Sequence, residues 1–448
     1  MIPLRLGEIR SAALVHGNPE HTIAGVVADS RLARSGSLFA CLVGSRADGH
    51  DFIDDAVHRG ATALLCAPGR SPAGEAAATL ESADPLGTLA EIGRIVRGRA
   101  RAPVIGVAGS AGKTTVKDVL RALLAPHLST VASRASYNNE LGVPLTLALL
   151  EPQTEACVCE LGTGAPGELA ALCATARPVV GVLTAVGPEH LEFFGSVAQV
   201  AAEEAALLAA LPRSAPAVIP FAEPLLEPHR RSDLDEWSFA LEREADVHPL
   251  AWRPRASGSE VVLAVRGQRL EFRTNLRLPH HRLSLAAAAA VYAALALPLD
   301  RLGEGAETIR LSPWRGQEQR LRRGALLIND AYNANPLSLR AALEARAARR
   351  NGGRAIAVLG PMAELGPETQ RWHALAGRQA GELGVDLLVA VGPGSRGYLD
   401  GATGRTACLW FPDLDSSIAP LSARSCAETT SSCSRGRAQP AWSDSRRR

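Results

Sequence analysis

The stretch Gly106-Val-Ala-Gly109-Ser-Ala-Gly112-Lys113-Thr114-Thr115 decides how the central part of this chain folds. An apolar run, Val104–Ala108, ends in the glycines, and a helical pattern from Thr114 to about Leu124 follows them. A strand, a glycine loop and a helix in this order form the context of a phosphate-binding loop, in which backbone N–H groups and the helix N-terminus face phosphate oxygens. The sequence therefore predicts a nucleoside triphosphate site.

Each polar residue of this loop has an expected role. Lys113 supplies a positive charge for the β- and γ-phosphates, and the Thr114 hydroxyl binds Mg²⁺, with Thr115 as a second candidate. The residues expected to contact ATP are Gly109, Ser110, Ala111, Gly112, Lys113, Thr114 and Thr115. Val107 stands where the strict phosphate-loop pattern has its first glycine, so the alternative is an ordinary glycine-rich turn between a strand and a helix.

Two further apolar runs of this block end in ligating side chains. The run Ala156–Leu161 carries Glu160 near its end, and Val179–Val186 leads into Gly187-Pro188-Glu189-His190. In open α/β sheets, ligands bind beyond the carboxyl ends of the strands. Magnesium prefers oxygen ligands, so Glu160 is a candidate ligand of the ion that bridges the phosphates. His190 would serve a second ion or hold a water, although a histidine alone is more often a hydrogen-bonded structural residue.

Composition bounds the class of protein. The chain has 448 residues, which predicts two to four domains, and its net charge of +2 gives no case for binding nucleic acid. No apolar run is long enough to span a bilayer and the N-terminus lacks a signal peptide, so we expect a cytoplasmic protein without stable membrane association. Of the eight cysteines, five lie inside apolar stretches and are expected to be buried thiols: Cys41, Cys66, Cys157, Cys159 and Cys173. Cys157 and Cys159 are two apart, but no second Cys or His pair completes a zinc site.

The alternation of strand-like and helix-like segments divides the chain into four parts. Residues 1–100 combine short strands with the helix Pro85–Arg99, and 101–311 form the central ATP-binding domain with a parallel sheet. Residues 312–415 repeat the alternation as a smaller doubly wound unit, whose expected strands include Ala325–Asn329. Residues 416–448 keep neither a helical nor a strand period, and we expect them to be poorly ordered. The fold class is therefore α/β in three domains.

Motifs in all three domains give the chain a clear resemblance to the Mur ligases. They include Asp29-Ser30-Arg31, Gly44-Ser-Arg46-Ala-Asp48-Gly49-His50, the phosphate loop, Tyr137-Asn138-Asn139-Glu140, Glu160, Gly187-Pro-Glu-His190, Asn329-Asp330-Ala-Tyr332-Asn333-Ala334-Asn335-Pro336 and Met362-Ala-Glu364-Leu365-Gly366. The resemblance implies a three-domain architecture with a central phosphate-loop ATPase domain and a Rossmann-like C-terminal domain. It also implies an ATP- and Mg²⁺-dependent ligase that joins D-alanyl-D-alanine to UDP-N-acetylmuramoyl-tripeptide through an acyl phosphate.

The resemblance assigns roles residue by residue. The UDP end of the substrate would be bound by Ser30, Arg31, Asp48, Gly49 and His50, and the dipeptide pocket would include Tyr332, Asn333 and Asn335. Asn138 and Asn139 would line the junction of substrate and ATP, and Asp330 would contact the nucleotide upon closure of the third domain. Lys113, His190 and Arg315 would be the catalytic residues. Some of these positions also have ordinary structural readings, such as a turn at Asp48-Gly49 and a helix start at Asn335-Pro336.

Departures from the family pattern concern the nucleotide and metal sites. Ala111 replaces a common Asn, and His281-Arg282 stands where an adenine-contacting His-Asn pair is expected. Several Mur ligases have a carbamylated lysine near Ala201-Ala-Glu203-Glu204, but no lysine follows Lys117 here. The carbamylated lysine presents a carboxylate to a second Mg²⁺. We expect Glu204, or less readily Glu203, to supply this carboxylate directly. The alternative is that the two glutamates lie on a solvated helix face.

Two other functions stay open at this point. The chain could be another Mur-type amide ligase, or an inactive homologue that binds nucleotide without turnover, as the atypical tail and the changes at Ala111 and Arg282 suggest. We expect a monomer. The sequence names no general base; His190 and His373 are the candidates.

Overall fold

The computed structural model describes residues 1–45, 47–72, 77–350 and 352–416. Nearly all of the predicted tail at 416–448 lies outside the described residues, as does Arg46. The chain forms two compact units. The first contains Met1–Val186, Val197–Arg277 and His281–Pro313, and the second contains Gly187–Ser196, Leu278–His280 and the chain from Trp314 onward. The first unit therefore holds most of the two predicted N-terminal domains.

A nine-stranded sheet is the centre of the first unit. Its strands lie in the spatial order Gln268–Thr274, Gly258–Val265, Val247–Arg255, Asp235–Phe239, Pro216–Pro220, Val180–Leu183, Val104–Ala108, Ala156–Glu160 and Thr130–Ala132. Neighbours are parallel except at Val247–Arg255, Gly258–Val265 and Gln268–Thr274, which form antiparallel hairpins. The predicted parallel sheet of the central domain is confirmed.

Both faces of this sheet are covered. Every residue of Val104–Ala108 is buried, as expected for a central parallel strand. The helix Lys113–Leu124 packs its apolar residues, spaced three and four apart, on one face together with the alanine-rich helix His281–Ala294. The strands Val104–Ala108, Ala156–Glu160 and Val180–Leu183 therefore end at one edge of a rigid layer, which places the loops that follow them side by side.

The N-terminal part of the first unit has its own five-stranded sheet. Its order is Ala13–His16, Ala78–Glu81, Ala61–Cys66, Ser37–Ala40 and Gly25–Val27, and only the pair Ala13–His16 and Ala78–Glu81 is antiparallel. A short ribbon pairs Leu4–Arg5 with Thr22–Ile23. One apolar core includes Leu38 and Leu89 from this part and Cys157 from the nine-stranded sheet. The N-terminal and central parts are therefore packed on a shared core.

The second unit contains a parallel sheet of Ile356–Leu359, Leu387–Val391 and Ala407–Phe411 with the helices Pro336–Ala348 and Thr369–Glu382. The strand Leu326–Asn329 differs from expectation, because it pairs antiparallel with Gln317–Arg320 in a separate ribbon. The turn of the 3-10 helix Arg322–Gly324 brings these two strands together at short range, and the hydrogen-bonded partner of an edge strand cannot be read from its own sequence.

Among the remaining helices, Pro85–Arg99 has 15 residues and the others have nine or fewer. The first unit has Ile53–His58, Pro85–Arg99, Gly142–Leu147, Glu168–Ala176, Val197–Glu204, Ala206–Ala210 and Gly303–Ala306, and the second unit has Leu191–Phe194 and Gly397–Gly401. Among the described residues, no helix combines the length and the apolar composition that crossing a membrane requires.

Candidate active site

The phosphate loop connects Val104–Ala108 to the helix Lys113–Leu124, as predicted. Gly109 and Gly112 have φ of +122° and +87°, and Gly112 is the residue before the helix. A Cβ atom at Gly109 would lie 2.4 Å from Thr184 Oγ1, so only glycine fits this position. Thr184 donates to the carbonyl oxygen of Ala111 (2.6 Å), and the Ser110 N–H donates to that of Ala185 (2.8 Å). The neighbouring strand end thus fixes the loop in shape.

The Lys113 ammonium group lies over this loop. Its Nζ donates to the carbonyl oxygen of Gly109 at 2.5 Å. The side chain therefore folds back across the backbone amides instead of pointing into solvent, which puts a positive charge where a phosphate on the helix N-terminus would sit. The structure agrees with the geometry expected for Lys113, while its contact with phosphate stays a prediction.

Glu160 is a buried carboxylate at the end of the adjacent strand. Its side chain is 1% exposed, and Oε1 accepts hydrogen bonds from Thr114 Oγ1 (3.0 Å) and Asn138 Nδ2 (2.9 Å). Within the described part of the chain, Oε2 has no hydrogen-bond partner. Burial raises the pKa of Glu160, against the opposing effect of Lys117 and Lys113. A buried carboxylate oxygen without a donor, beside a threonine hydroxyl, fits the all-oxygen ligand set of Mg²⁺.

Lys117, which no sequence motif singles out, organises the opposite side of this site. Its side chain is 1% exposed, and Nζ donates to the carbonyl oxygens of Ser133 (3.0 Å) and Ala135 (2.5 Å). The same Nζ lies 3.1 Å from Asp118 Oδ1 and 3.8 Å from Glu160 Oε2. Ala135 has φ of +44°, a conformation that non-glycine residues adopt at a cost. Lys117 therefore holds the segment 133–138 in a specific shape beside Glu160.

That segment borders a cavity of about 500 Å³ in the first unit. Three arginines, Arg31, Arg34 and Arg134, line it together with Asp29 and Tyr137. Asp29 caps the turn Ser30–Leu32 by accepting from the Arg31 N–H (3.0 Å), and its carboxylate also pairs with the Arg31 guanidinium (2.7 Å). Arg31 was predicted to bind substrate; Arg34 and Arg134 were not singled out, because isolated arginines carry no spacing signal. A cavity with this many guanidinium groups suits a ligand with phosphates.

Other predicted substrate residues have structural partners in this unit. Ser30 is buried, and Gly49 lies at the start of a 3-10 helix that Asp48 caps through the His50 N–H (3.0 Å). Both ring nitrogens of His50 are engaged, with Asp48 Oδ1 (2.7 Å) and the Ala67 N–H (3.1 Å). Asn139 Oδ1 accepts from the Gly142 N–H (3.0 Å) and so starts the next helix. For these residues, contact with a ligand stays a prediction.

Glu204 and Glu203 have different environments. Glu204 is 1% exposed, and its Oε2 accepts from the Gly109 N–H of the phosphate loop at 2.6 Å. The Glu203 carboxylate accepts instead from the N–H groups of Gly167 and Leu169, both at 2.8 Å, at the start of the helix Glu168–Ala176. The two glutamates are therefore not a solvated helix face, and it is Glu204 whose carboxylate reaches the predicted nucleotide site.

The second unit contains the other predicted residues. His190 (φ +49°) is hydrogen-bonded through Nδ1 to the carboxylate of Glu364 (φ +59°). Both residues of this hydrogen-bonded pair have the left-handed backbone conformation, which is unfavourable for non-glycine residues. Backbone strain of this kind is often found at functional sites. His373 is fully buried, and its ring nitrogens bond to the Met362 N–H and the Thr369 carbonyl oxygen. His373 is thus a structural residue, not a base that could reach substrate.

Residues 330–335 form an irregular segment in this unit that leads into the helix Pro336–Ala348. Asp330 Oδ1 accepts from the Gly316 N–H (3.1 Å), and burial raises the pKa of its carboxyl group. The Arg315 guanidinium stacks over the Tyr332 ring at 4.1 Å from the centroid. Asn333 Oδ1 accepts from the Ala334 N–H, and Asn335 caps the helix Pro336–Ala348 by accepting from the Ser338 N–H (2.8 Å). Asn335 therefore has the helix-start role, whereas its predicted substrate contact is untested.

Comparison with known proteins gives consistent matches. The family model for the Mur ligase middle domain matches residues 107–293, the Mur ligase glutamate ligase domain matches 314–426, and the Mur ligase family catalytic domain matches 22–94. The UDP-N-acetylmuramoyl-tripeptide–D-alanyl-D-alanine ligase of Escherichia coli is 31% identical over 388 residues, covering 83% of this chain and 82% of the relative. The protein of the same name from Synechocystis is 32% identical, covering 85% and 82%.

Solved structures agree with these matches. MurF from Acinetobacter baumannii superposes with a TM-score of 0.78 at 27% identity, covering 91% of this chain and 88% of that one. MurF ligase from Thermotoga maritima, solved in complex with ADP, gives 0.75 at 26% identity, covering 89% and 91%. The similarity extends over all three predicted domains, including the segments that carry the phosphate loop and Asp330.

Proposed function

This chain belongs to the Mur ligase family, and from that premise we infer that it joins D-alanyl-D-alanine to UDP-N-acetylmuramoyl-tripeptide in an ATP-dependent reaction of peptidoglycan precursor synthesis. The observation that supports this most directly is the position of Glu160. Its carboxylate connects Thr114 of the phosphate loop to Asn138, next to an arginine-lined cavity that suits a nucleotide-linked substrate. In this proposal, Glu160 belongs to the triphosphate site and lies close to the substrate site, because Asn138 follows Tyr137 of the cavity.

The reaction must activate a carboxylate, since its oxygen is a poor leaving group. In the proposed mechanism, the terminal carboxylate of the tripeptide attacks the γ-phosphorus of ATP, which forms an acyl phosphate and releases ADP. The amine of D-alanyl-D-alanine then attacks the acyl carbon, loses a proton and expels phosphate. Lys113, held over the loop, offsets the negative charge on the transferring group.

We propose that Mg²⁺ is bound by Thr114 and Glu160, whose buried oxygens fit it. When bound, Mg²⁺ neutralises charge on the β- and γ-phosphates. Glu204 is proposed to contribute a second carboxylate and His190 a second metal or water contact. Arg31, Arg34 and Arg134 would hold the diphosphate of the UDP group. We propose that the reaction occurs in the cytoplasm, where UDP-linked precursors and ATP occur, and that the chain is a monomer.

A phosphate-release assay on the full chain tests this function. We expect release of phosphate only when ATP, UDP-N-acetylmuramoyl-tripeptide and D-alanyl-D-alanine are all present. Replacing the dipeptide with diaminopimelate or glutamate should abolish the release, and a Lys113→Met variant provides the inactive control. Release that depends on another amine would assign the chain to a sister ligase, whereas ATP binding without turnover would identify an inactive homologue.

A further inference from the structure

Two cysteines and a histidine in the N-terminal part of the first unit place one ligand atom each within 4.8 Å of one another. Cys41 directly follows the strand Ser37–Ala40, and Cys66 is the last residue of the neighbouring parallel strand. The register pairs Ala40 with Leu65, so the two cysteines are the next pair along and stand side by side. All three residues are buried, with Cys41 at 1%, Cys66 at 0% and His50 at 9% exposure. The fold thus brings two sulfur atoms and one imidazole nitrogen together from separate positions in the sequence.

The spacing of the sulfur atoms is that of a metal centre. Cys41 Sγ and Cys66 Sγ are 3.8 Å apart. In a tetrahedral Zn²⁺ site with Zn–S bonds of about 2.3 Å, two sulfur ligands are separated by roughly 3.8 Å. Two free thiols in van der Waals contact would also be compatible with this distance, so the spacing is necessary for a metal site but does not require one.

The histidine provides the independent observation. Asp48 Oδ1 lies 2.7 Å from His50 Nδ1, and Asp48 in turn is paired with Arg70 (2.5 Å). A carboxylate on one ring nitrogen fixes the tautomer and leaves the other nitrogen with a lone pair, as is usual for histidines that bind metals. Here that second nitrogen, Nε2, accepts from the N–H of Ala67, the residue after Cys66. Since Ala67 is bonded to Cys66, this hydrogen bond holds the imidazole beside the cysteine pair.

Apolar packing accounts for the thiols but not for the imidazole. Cys41 and Cys66 belong to a small cluster with Phe39, Ile53 and Leu64, in which free cysteines behave as small apolar side chains. The imidazole beside that cluster is held instead by polar contacts, with Asp48 on Nδ1 and the longer bond from the Ala67 N–H on Nε2, which an ion could replace. A donor set of two sulfurs and one imidazole nitrogen is selective for Zn²⁺ over Mg²⁺, because Mg²⁺ requires oxygen ligands.

We propose that Cys41, Cys66 and His50 form a Zn²⁺ site in the N-terminal part of this chain. Two thiol protons leave when the ion binds, the Ala67 N–H gives up Nε2, and three protein ligands leave a fourth position for water. The ion would connect the ends of two strands to the 3-10 helix Gly49–Phe52. This site is separate from the phosphate-loop site, and its ligand His50 is also one of the residues predicted to contact the UDP end of the substrate.

Cobalt substitution of the full-length protein gives the sharpest test. Metal-free reduced protein titrated with Co²⁺ should develop a thiolate-to-cobalt charge-transfer band that saturates at one ion per chain and disappears on addition of Zn²⁺. Excess Mg²⁺ should leave the band unchanged. Co²⁺ at the phosphate loop meets oxygen ligands and contributes no such band. Absence of the band would overturn the proposal, as would a Cys41–Cys66 disulfide in protein purified without reductant and shown to lack zinc.

Matched variants locate the site. Cys41→Ala and Cys66→Ala should each remove the charge-transfer band, whereas Cys173→Ala, which removes a buried thiol elsewhere in the unit, should keep it. Asp48→Asn should weaken Zn²⁺ binding by about 10–100-fold while the band remains, because the ligands are intact but the histidine is less well oriented. Retention of the full band in the Cys41→Ala and Cys66→Ala proteins would refute the assignment, and far-UV circular dichroism confirms that each variant is folded.

Discussion

Replacement of Lys117 by methionine tests whether its buried ammonium group holds the segment 133–138 and Glu160 in place. Methionine has a similar length and fills the same space, but it removes the donor to the carbonyl oxygens of Ser133 and Ala135. It also leaves Asp118 and Glu160, at 3.1 Å and 3.8 Å, without their cation. Loss of one partner from a buried ion pair costs about 3–5 kcal/mol, and this is the expected fall in the free energy of unfolding.

Urea unfolding followed by circular dichroism measures this loss. The exposed residue Arg121 lies one turn further along the same helix, so Arg121→Met is a matched control that should change stability by less than about 0.5 kcal/mol. A double-mutant cycle with Glu160→Gln separates the ion pair from the two carbonyl contacts. In the Glu160→Gln background, Lys117→Met should cost about 0.5–3 kcal/mol less than in the parent protein, because the neighbouring carboxylate is gone.

Steady-state kinetics distinguish a role in substrate binding from a role in stability alone. Since Lys117 holds the segment 133–138, and Arg134 and Tyr137 line the cavity, the KM for the UDP-linked substrate should rise more than the KM for ATP. A Lys117→Met protein that unfolds at the parent urea concentration refutes the reasoning. So does an equal stability loss in both backgrounds of the cycle, because Lys117 and Glu160 would then not interact.

Three further predictions concern other parts of the molecule. Glu204→Ala should lower kcat by about 100-fold or more and regain activity with added small carboxylates, whereas Glu203→Ala should lose stability without such rescue. Full activity of Glu204→Ala without additives would refute a metal-binding role for Glu204. The activity of the parent protein should not change with bicarbonate. Arg134→Met should raise the KM for the UDP-linked substrate about 10-fold or more, because Arg134 lines the cavity, whereas Arg101→Met at an exposed position should not. Equal KM values for the Arg134→Met and parent proteins would show that Arg134 does not bind this substrate. Burial lowers the pKa of His373, so its neutral form stabilises the second unit above about pH 6.5, and this stability is lost as the pH falls through the lowered pKa. The urea midpoint of His373→Gln should therefore vary less than that of the parent below about pH 6.5, and parallel curves would contradict this.

Features that depend on short-range pattern could be predicted from the amino-acid sequence. The glycines and the apolar strand before them predicted the phosphate loop, and the structure shows the required left-handed φ at Gly109 and Gly112. The helices Pro85–Arg99 and Lys113–Leu124 followed from proline and glycine at their starts and from apolar residues three and four apart. The resemblance of ordered motifs indicated the family, which the comparisons confirmed.

Tertiary structure alone decided which distant groups meet. Glu204 reaches the Gly109 N–H from 95 positions away, and Lys117 carries its charge into the core because carbonyl oxygens from another segment receive it. The antiparallel partner of Leu326–Asn329 and the meeting of Cys41, Cys66 and His50 depend likewise on strand order. No periodicity records these contacts, since each arises where separate elements end at one edge of a sheet, and that edge exists only after the sheet has assembled.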